Sequence, residues 1–207
     1  MPHVSGVILA GGESRRMGGS PKALLPFGER PLIQHVADTL AAVVPDCLVV
    51  TNSPELYGFL GLPMVRDVFP GGGSLGGIYS GLRAVPGDAA FCVACDMPFL
   101  SRPLIAELVG RAAEADVVIP DAAGELQTLH AVYAKSCLPA MARRLTAGQL
   151  KITGFFPEVT VLRVPEPAIR RFDDPSVAFL NLNTPDELAR ARSVWAGRMG
   201  PSGGEPA

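Results

Sequence analysis

The chain has 207 residues, of which 48% are hydrophobic and 18% are charged, and its formal net charge is −2. This length supports one domain with a substantial core and is too short for two domains of ordinary size. The near-neutral charge argues against a nucleic-acid-binding protein, which normally carries a basic face, and apolar runs such as residues 89–95 are too short to span a bilayer.

The N-terminus and the cysteines indicate the cellular compartment. The first residues lack a basic region followed by a long apolar core, so no signal peptide is expected. The four cysteines of an otherwise ordinary chain are expected to be reduced thiols of a cytoplasmic protein. We expect a single domain over residues 1–199, followed by a disordered tail at residues 200–207, which are rich in Gly, Pro and Ser.

Strand-like and helix-like segments alternate along the chain. Residues 4–10 form a near-continuous apolar run rich in β-branched residues, which is typical of a strand buried on both faces. The segments that follow, in chain order, are a helix within 33–44, strands at 48–51 and 64–65 separated by a small helix, a helix from 75, a strand at 90–95, a helix at 104–113, and strands at 117–119 and 129–134. A last helix has Thr184 as N-cap, Pro185 at its first position and Glu187 completing a capping box. This order predicts a three-layer α/β fold with a mostly parallel central sheet and helices on both faces.

A glycine-rich, basic stretch, "LAGGESRRMGGSPKALLP" (residues 9–26), directly follows the first predicted strand. Ligands of such folds bind beyond the carboxyl ends of the strands. The stretch is not a P-loop, because Lys22 is preceded by Pro21 and followed by Ala23, and it lacks the Gly-x-Gly-x-x-Gly fingerprint of dinucleotide sites. Free backbone N–H groups together with Arg15, Arg16 and Lys22 would suit a polyphosphate. The alternative is a surface loop whose charges only face solvent, and we favour the phosphate site because of its place in the fold.

A carboxylate follows another buried strand. In "FCVACDMPFL" the strand ends at Asp96, which would face the same crevice as the glycine-rich stretch. A single carboxylate suits Mg²⁺, which keeps several waters and is bridged to substrate phosphates. The alternative is an aspartate that only caps the turn before Pro98.

Other residues with metal-binding or catalytic potential are interpreted as structural. Cys92 and Cys95 lie three apart within a predicted strand and would point to opposite faces, so they cannot share a metal or form a disulfide; we expect core residues. His3 and His35 are expected at an exposed end and on a helix surface. His130 is expected to be a hydrogen-bonded structural histidine, with substrate contact as the alternative.

The stretch "LAGGESRRMGGSPKALLPFGERPLIQHV" closely resembles the signature of the molybdenum cofactor guanylyltransferases of the MobA type, within the nucleotidyltransferase superfamily. The resemblance continues through "TNS", "RDVFPGGGSLGGIYSGL", "ACDMPFL", "ELQTLHAVY" and "NLNTPDEL", and covers residues 4 to about 190. It implies the Rossmann-like nucleotidyltransferase fold. It also implies transfer of GMP from GTP to molybdopterin, which yields molybdopterin guanine dinucleotide and pyrophosphate.

The resemblance implies a set of nucleotide-binding residues. These are Leu9, Ala10, Gly11, Gly12, Lys22, Asn52, Asp67 and Asp96. The catalytic residues would be Lys22 and Arg16, which contact the triphosphate, and Asp96, which also binds Mg²⁺. Whether Arg15 or Arg16 makes the phosphate contact stays open.

The resemblance also implies an acceptor side for the pterin. Asn181 and Asn183 match the Asn-x-Asn-Thr-Pro segment that lies beside the pterin, and His130 is a candidate there as well. The glycine-rich run around Ser74 departs slightly from the relatives, which often have proline at that position.

The implied reaction needs no general base, because the attacking phosphate of molybdopterin is already ionised near neutral pH. GTP and molybdopterin would be the ligands, and carrier or molybdoenzyme chaperone proteins would be possible partners; no nucleic acid or membrane is involved. Two alternatives remain. One is a molybdopterin cytidylyltransferase or a sugar-phosphate nucleotidyltransferase of the same fold, although the Gly11-Gly12 pair speaks against the cytidylyl branch, which tends to have Leu-Ala-Ala-Gly. The other is a non-catalytic nucleotide-binding regulator.

Overall fold

The computed structural model describes residues 2–11, 21–182 and 184–199, without the side chains of 185 and 196–199. Ten strands lie within these ranges: β1 Val4–Leu9, β2 Pro26–Phe27, β3 Arg30–Pro31, β4 Cys47–Val50, β5 Met64–Val65, β6 Ala89–Ala94, β7 Val117–Ala122, β8 Glu125–Leu126, β9 His130–Ala134 and β10 Val161–Pro165. The described residues also form seven α-helices: α1 Leu32–Ala41, α2 Gly73–Ala84, α3 Arg102–Gly110, α4 Leu138–Thr146, α5 Glu166–Ile169, α6 Pro175–Ala178 and α7 Pro185–Met199. The expected tail, residues 200–207, lies outside the described residues.

One central sheet carries the fold, with strand order β10-β7-β9-β6-β1-β4-β5 and β8 beside β7. Strand β1 runs parallel to both β4 and β6, β4 is parallel to β5, and β7 is parallel to β10. The predicted mostly parallel sheet is therefore confirmed, but β9 runs antiparallel to β6 and β7. The cause is a two-residue turn, Ala123–Gly124, at which both φ angles are positive (52° and 78°). It reverses the chain into β8 and β9 with no crossover helix.

Helices cover both faces of the sheet, as predicted. Ile8 packs into one apolar cluster together with residues of α1 and α3. Val7, its neighbour on the opposite face, packs into a second cluster with residues of α2 and α4. Helix α2 lies directly against β1 because its Gly81 has no side chain, and a Cβ at that position would collide with Val7. No helix within the described ranges is long and apolar enough to cross a membrane.

The predicted capping box opens α7. The backbone N–H of Thr184 donates to Glu187 Oε2 at 2.8 Å, and the N–H of Glu187 donates back to Thr184 Oγ1 at 3.2 Å. Ala191 is fully buried and Trp195 packs against the same apolar cluster, so these residues mark the face of α7 that is turned to the core. The capping box thereby fixes where the helix begins, directly after the Asn-x-Asn segment.

The cysteines are structural, as predicted. Cys92 is fully buried in the cluster with α2 and α4, whereas Cys95 packs against the opposite cluster. Both are free thiols, and burial raises the pKa of Cys95 to about 12. Such a thiol stays protonated at neutral pH and is a poor nucleophile or metal ligand.

Candidate active site

Four neighbouring parallel strands end at one edge of the sheet, in the order β6, β1, β4, β5. A polar residue or a glycine follows each of them: Asp96 after β6, Gly11 after β1, Asn52 after β4 and Asp67 after β5. The chain leaves β1 toward β4 and returns through α2 to β6 on the other side, so the strand order reverses here. Ligands of open α/β sheets bind at such a point. The predicted residues therefore meet at the expected place.

Backbone hydrogen bonds hold the end of β1 in position. The N–H of Ala10 donates to the carbonyl of Val50 at 2.9 Å, and the carbonyl of Leu9 accepts from the N–H of Cys95 at 3.2 Å. The Leu9 side chain lies beneath Gly77, where an added Cβ would come within 3.2 Å of it. The sequence predicted Leu9 and Ala10 as site residues, and the structure places them beneath the edge where β1 emerges.

Asn52 and Asp67 form a reciprocal pair. Asn52 Nδ2 donates to Asp67 Oδ2 at 3.1 Å, and the Asp67 N–H donates to Asn52 Oδ1 at 3.1 Å. Burial raises the pKa of the Asp67 carboxyl, and the Asn52 amide and the Ser80 hydroxyl lower it only in part. The Ser80 hydroxyl donates to the Gly76 carbonyl at 2.7 Å, and Asp67 Oδ1 is buried without a hydrogen-bond partner among the described residues. A buried acceptor without a donor is costly, which favours a donor from a ligand or from water.

Glycines leave space around the Asp67 carboxylate. A Cβ built on Gly11 would lie 3.6 Å from Asp67 Oδ2, and one built on Gly77 would lie 3.9 Å from Oδ1. Both are ordinary van der Waals distances, so the described residues leave room for a methyl group at Gly11. Gly77 was not predicted as a site residue, and only its place in a glycine-rich run could have suggested it.

Lys22 and Asp96 form an ion pair across the β1–β6 boundary. Lys22 Nζ lies 2.5 Å from Asp96 Oδ2, and the side chains are only 9% and 15% exposed. Lys22 begins a short 3-10 turn, Lys22–Leu24, in which the Leu24 N–H donates to the Pro21 carbonyl at 2.9 Å. The sequence predicted both residues separately, and the structure brings them into direct contact.

Whether a divalent metal fits this site depends on Asp96. Among the described residues no group of three or more His, Cys, Asp or Glu side chains could hold a metal ion. The protein therefore offers a single carboxylate rather than a complete ligand cage. That donor set suits Mg²⁺, which keeps waters and completes its shell with substrate phosphates.

A cleft of about 220 Å³ is lined by Met97, the residue that follows Asp96. Asn181 lines this cleft together with Met97 and Gln127. The next residue, Leu182, donates its N–H to the Asp96 carbonyl at 3.2 Å, which fixes the segment beside the metal candidate. The structure thus places Asn181 in the segment beside Asp96, and its role toward the pterin stays a prediction. Met97 and Gln127 were not predicted, because nothing in their residue types singles them out.

A cluster of aromatic side chains packs near the segments that carry Lys22 and Asp96. Phe27 follows Lys22 by five residues, Phe99 follows Asp96 by three, and Trp195 lies on α7. The ring centroids lie 5.7 Å apart for Phe27 and Phe99 and 5.1 Å apart for Phe27 and Trp195. His35 joins them: its Nε2 lies 2.7 Å from the Phe27 carbonyl oxygen. The expectation that His35 lies on a helix surface is wrong, because the β2–β3 hairpin and α7 cover that side of α1.

His130 is in the core, but not as a hydrogen-bonded histidine. It is fully buried, and its ring contacts the edges of Phe91 and Phe179 at centroid distances of 5.0 and 5.1 Å. Neither ring nitrogen has a hydrogen-bond partner among the described residues. The expectation of satisfied hydrogen bonds is thus wrong, and substrate contact has no support, because no part of the side chain is accessible. Burial lowers the pKa of His130 to about 3.

The buried imidazole predicts a pH-dependent stability. The unfolded chain binds a proton at His130 below about pH 6.5, whereas the folded protein does not until about pH 3, so the free energy of unfolding falls as the pH drops through this window. At pH 5 the loss is about 2 kcal/mol. His130→Phe should remove it: between pH 7.5 and 5.0 in urea unfolding, the variant should lose about 2 kcal/mol less than wild type. Any packing cost of the larger ring is the same at both pH values, and equal losses in the two proteins would contradict the prediction.

Four residues named from the sequence lie outside the described residues: Gly12, Arg15, Arg16 and Asn183. Their predicted roles stay predictions. The edge described above is thus assembled from Gly11, Lys22, Asn52, Asp67, Asp96 and Asn181.

Comparisons with known proteins identify the family of this chain. The family model of the MobA-like NTP transferase domain matches residues 6–159. The molybdenum cofactor guanylyltransferase of Desulfosudis oleivorans is 37% identical over 201 residues, which is 96% of this chain and 100% of that protein. The probable molybdenum cofactor guanylyltransferase of Pelotomaculum thermopropionicum is 40% identical over 93% of each chain. The crystal structure of molybdopterin-guanine dinucleotide biosynthesis protein A of Archaeoglobus fulgidus has a TM-score of 0.80 at 28% identity, covering 92% of this chain and 98% of that one.

Proposed function

The chain belongs to the MobA-like NTP transferase family, and we propose that it transfers GMP from GTP to molybdopterin, forming molybdopterin guanine dinucleotide and releasing pyrophosphate. The observation that carries the proposal is the pairing of Lys22 with Asp96 at the point where the strand order reverses. A cation and a carboxylate at this position suit a metal-bound triphosphate. Both residues fall within the matched family region, residues 6–159.

The donor side would hold GTP across the ends of β1, β4 and β5. Gly11 allows close approach of the nucleotide to the backbone. The Asn52–Asp67 pair would bind the nucleoside, because Asp67 Oδ1 is a buried acceptor that an N–H or O–H group of the ligand can satisfy. Gly12 and Arg16, which lie outside the described residues, are proposed at the phosphates beside Lys22.

Nucleotidyltransferases normally use a divalent metal, and we propose Mg²⁺ held by Asp96 and the phosphates. When bound, the metal neutralises negative charge on the phosphate oxygens. Asp96 is suited to this role because it is ionisable, largely shielded from solvent and next to the triphosphate side. The Leu182 N–H donates to the Asp96 carbonyl and holds the backbone of this residue, while Lys22 contacts its carboxylate.

The reaction joins the two sides. A phosphate oxygen of molybdopterin forms a bond to the α-phosphorus of GTP, while the bond between that phosphorus and the bridging oxygen of the β-phosphate breaks and pyrophosphate leaves. The attacking phosphate is already ionised, so no side chain has to remove a proton. Lys22 would stabilise the negative charge that develops, and the protein acts mainly by positioning and electrostatics.

The acceptor side would be the cleft beside Asp96. Asn181 lines it with Met97 and Gln127, and these side chains offer amide donors and acceptors next to an apolar surface. Such a mixture suits a pterin, which has a flat ring and polar edges. Asn183 is proposed as a second contact, although it lies outside the described residues.

The setting of the enzyme is proposed from the same features. Residues 1–199 would form one nucleotidyltransferase domain, since the described helices pack on a single central sheet. We place the reaction in the cytoplasm, where the four free cysteines would stay reduced. Carrier or chaperone proteins for molybdoenzymes would take up the product.

A product assay tests this function. Purified protein is incubated with molybdopterin, Mg²⁺ and one of GTP, CTP, ATP or UTP, and the dinucleotide and pyrophosphate are quantified. GTP should give the guanine dinucleotide with the highest kcat/KM. Preference for CTP would indicate a cytidylyltransferase. Transfer of the nucleotide to a sugar phosphate instead of molybdopterin would indicate a sugar-phosphate nucleotidyltransferase. Binding of GTP with no turnover would indicate a non-catalytic regulator.

Gly11→Ala tests the donor side. Among the described residues the methyl group has room, at 3.6 Å from Asp67 Oδ2, so the variant should fold normally. It would occupy space between Asp67 and the nucleoside, so kcat/KM for GTP should fall by about tenfold to a hundredfold. The smaller base of CTP should be affected less, and the GTP-to-CTP ratio of kcat/KM should fall.

Gly110→Ala is a matched control, because it adds a methyl at a helix end with no neighbour within 4 Å. It should leave both rate constants unchanged. An unchanged GTP-to-CTP ratio in Gly11→Ala would mean that the base is recognised elsewhere, for example by the glycine-rich run before and within α2.

A further inference from the structure

The turn that joins β7 to β8 contains a residue that does not favour its own backbone conformation. Ala123 has a φ of 52° and is the one non-glycine residue with a positive φ in the described part of the chain; Gly124 follows with a φ of 78°. The first position of such a two-residue turn favours Asn, Asp or Gly, because a β-carbon is crowded by the backbone there. Alanine therefore needs support from its surroundings, and residues held in this way are concentrated at functional sites.

Glu166, the first residue of α5, gives that support. Strand β10 pairs with β7 so that Pro165 lies opposite Asp121, which brings Glu166 next to the turn. Glu166 Oε2 accepts the Ala123 N–H at 2.8 Å, and Oε1 accepts two hydrogen bonds from Arg170, from Nε at 2.9 Å and from Nη2 at 2.6 Å. Arg170 first, and then the Ala123 N–H, hold the pKa of the Glu166 carboxyl below its usual range. The carboxylate is therefore ionised at neutral pH, with one oxygen on the turn.

The segment that follows the turn forms most of the proposed acceptor cleft. Residues 125–129 line this cleft, and Met97 and Asn181 complete it. The core holds the far end of the segment, since the hydroxyl of the fully buried Tyr133 donates to the Thr128 carbonyl at 2.7 Å. The near end begins at the turn, whose contact with Glu166 lies at the protein surface.

We propose that Glu166 is a positioning residue for the acceptor substrate, an inference that rests on the proposed function. Among the described residues it does not line the cleft itself, and it acts through the Ala123 N–H by holding the turn in a conformation that alanine does not favour. With the turn held, residues 125–129 are in place before the acceptor binds. Such preorganisation lowers the cost of binding. Its loss should affect molybdopterin and not GTP, whose proposed site lies at the ends of β1, β4 and β5.

Glu166→Ala should raise the KM for molybdopterin by about fivefold to tenfold and leave the KM for GTP within about twofold of wild type. Loss of a negative charge alone would favour an anionic substrate, so the expected direction is opposite to a charge effect. Adding Ala123→Asn to Glu166→Ala should reverse most of the rise, because asparagine readily adopts positive φ and favours this turn position. Ala123 is exposed, so the larger side chain has room.

Glu114→Ala is the matched control. Glu114 forms a surface ion pair with Arg111 through two hydrogen bonds of 3.0 Å, just beyond α3, and its loss should leave both KM values within about twofold of wild type. Amide hydrogen exchange measures the turn without catalysis. The Gln127 N–H donates to the Pro120 carbonyl at 2.9 Å; its exchange should become about tenfold faster in Glu166→Ala and return toward the wild-type rate in the double variant.

Three results would overturn the proposal. The first is an unchanged KM for molybdopterin in Glu166→Ala, even with faster exchange at Gln127, since Glu166 would then only stabilise the turn. The second is an equal rise of both KM values, which would indicate a general loss of structure. The third is a failed rescue by Ala123→Asn, which would mean that Glu166 does not act through the turn.

The proposed function is tested separately by the wild type. If wild type gives no turnover, titration with molybdopterin replaces each KM by a Kd and the same comparisons decide the proposal. A wild type that binds GTP but no molybdopterin would overturn the proposed function and the acceptor role of Glu166 with it. An active wild type with unaffected variants would overturn only the role of Glu166.

Discussion

Asp96→Asn should lower the turnover of the guanylyl transfer by about a hundredfold or more while the protein stays folded. The amide keeps the shape of the carboxylate, and the backbone contact from Leu182 does not involve the side chain. It removes the charged oxygen that would hold the metal against the phosphates, at a site where the described residues offer no cluster of further ligands. The loss should appear in kcat at saturating Mg²⁺ and GTP, measured as dinucleotide formed per unit time.

Asp38→Asn is the matched control for the loss of one negative charge. Asp38 forms an exposed ion pair with Arg30, so this variant should keep turnover within about twofold of wild type. Circular dichroism and urea unfolding of both variants show whether the fold is kept. Turnover of Asp96→Asn close to that of wild type at saturating Mg²⁺ would exclude Asp96 as a catalytic residue.

The position of Asp96 could be predicted from sequence because parallel strands share a direction. A buried apolar run that ends in a carboxylate places that carboxylate at the edge where the other parallel strands also end, whichever helices lie between them. Gly11 was predicted by the same reasoning. Lys22 was assigned to the same site as Asp96, but their direct contact depends on β1 and β6 being neighbours, and no local pattern specifies this.

Other features depend on tertiary contacts that leave no local signal. The direction of β9 follows from a turn that begins with Ala123, a residue that rarely adopts positive φ, and Glu166 Oε2, far along the chain, accepts its N–H at 2.8 Å. His35 is buried because a short hairpin and the last helix meet over it. His130 has no hydrogen-bond partner in the described part of the chain, because aromatic residues from two distant segments pack against it. In each case the decisive neighbour is remote in sequence.

Lys22→Met should lower kcat by about a hundredfold to a thousandfold, with a change of less than about tenfold in the KM for GTP. Methionine keeps most of the length and the apolar stem of the side chain but has no charge. The ammonium group would contact phosphate oxygens in both the bound and the reacting state, yet negative charge grows as pyrophosphate leaves, so its loss should affect the rate more than binding. Steady-state kinetics with molybdopterin held fixed and Mg²⁺ saturating measures both constants.

Lys135→Met supplies the matched control, because Lys135 Nζ donates to the Val85 carbonyl at 2.8 Å, near the start of β6 and thus at the opposite end of that strand from Asp96. It should leave kcat within about twofold of wild type. A Lys22→Met protein that loses GTP affinity but keeps its kcat would show that Lys22 binds substrate and transition state equally. The strand-edge ion pair would then contribute to nucleotide binding alone, and the charge that develops during the transfer would have to be met by the metal and by residues beyond those described.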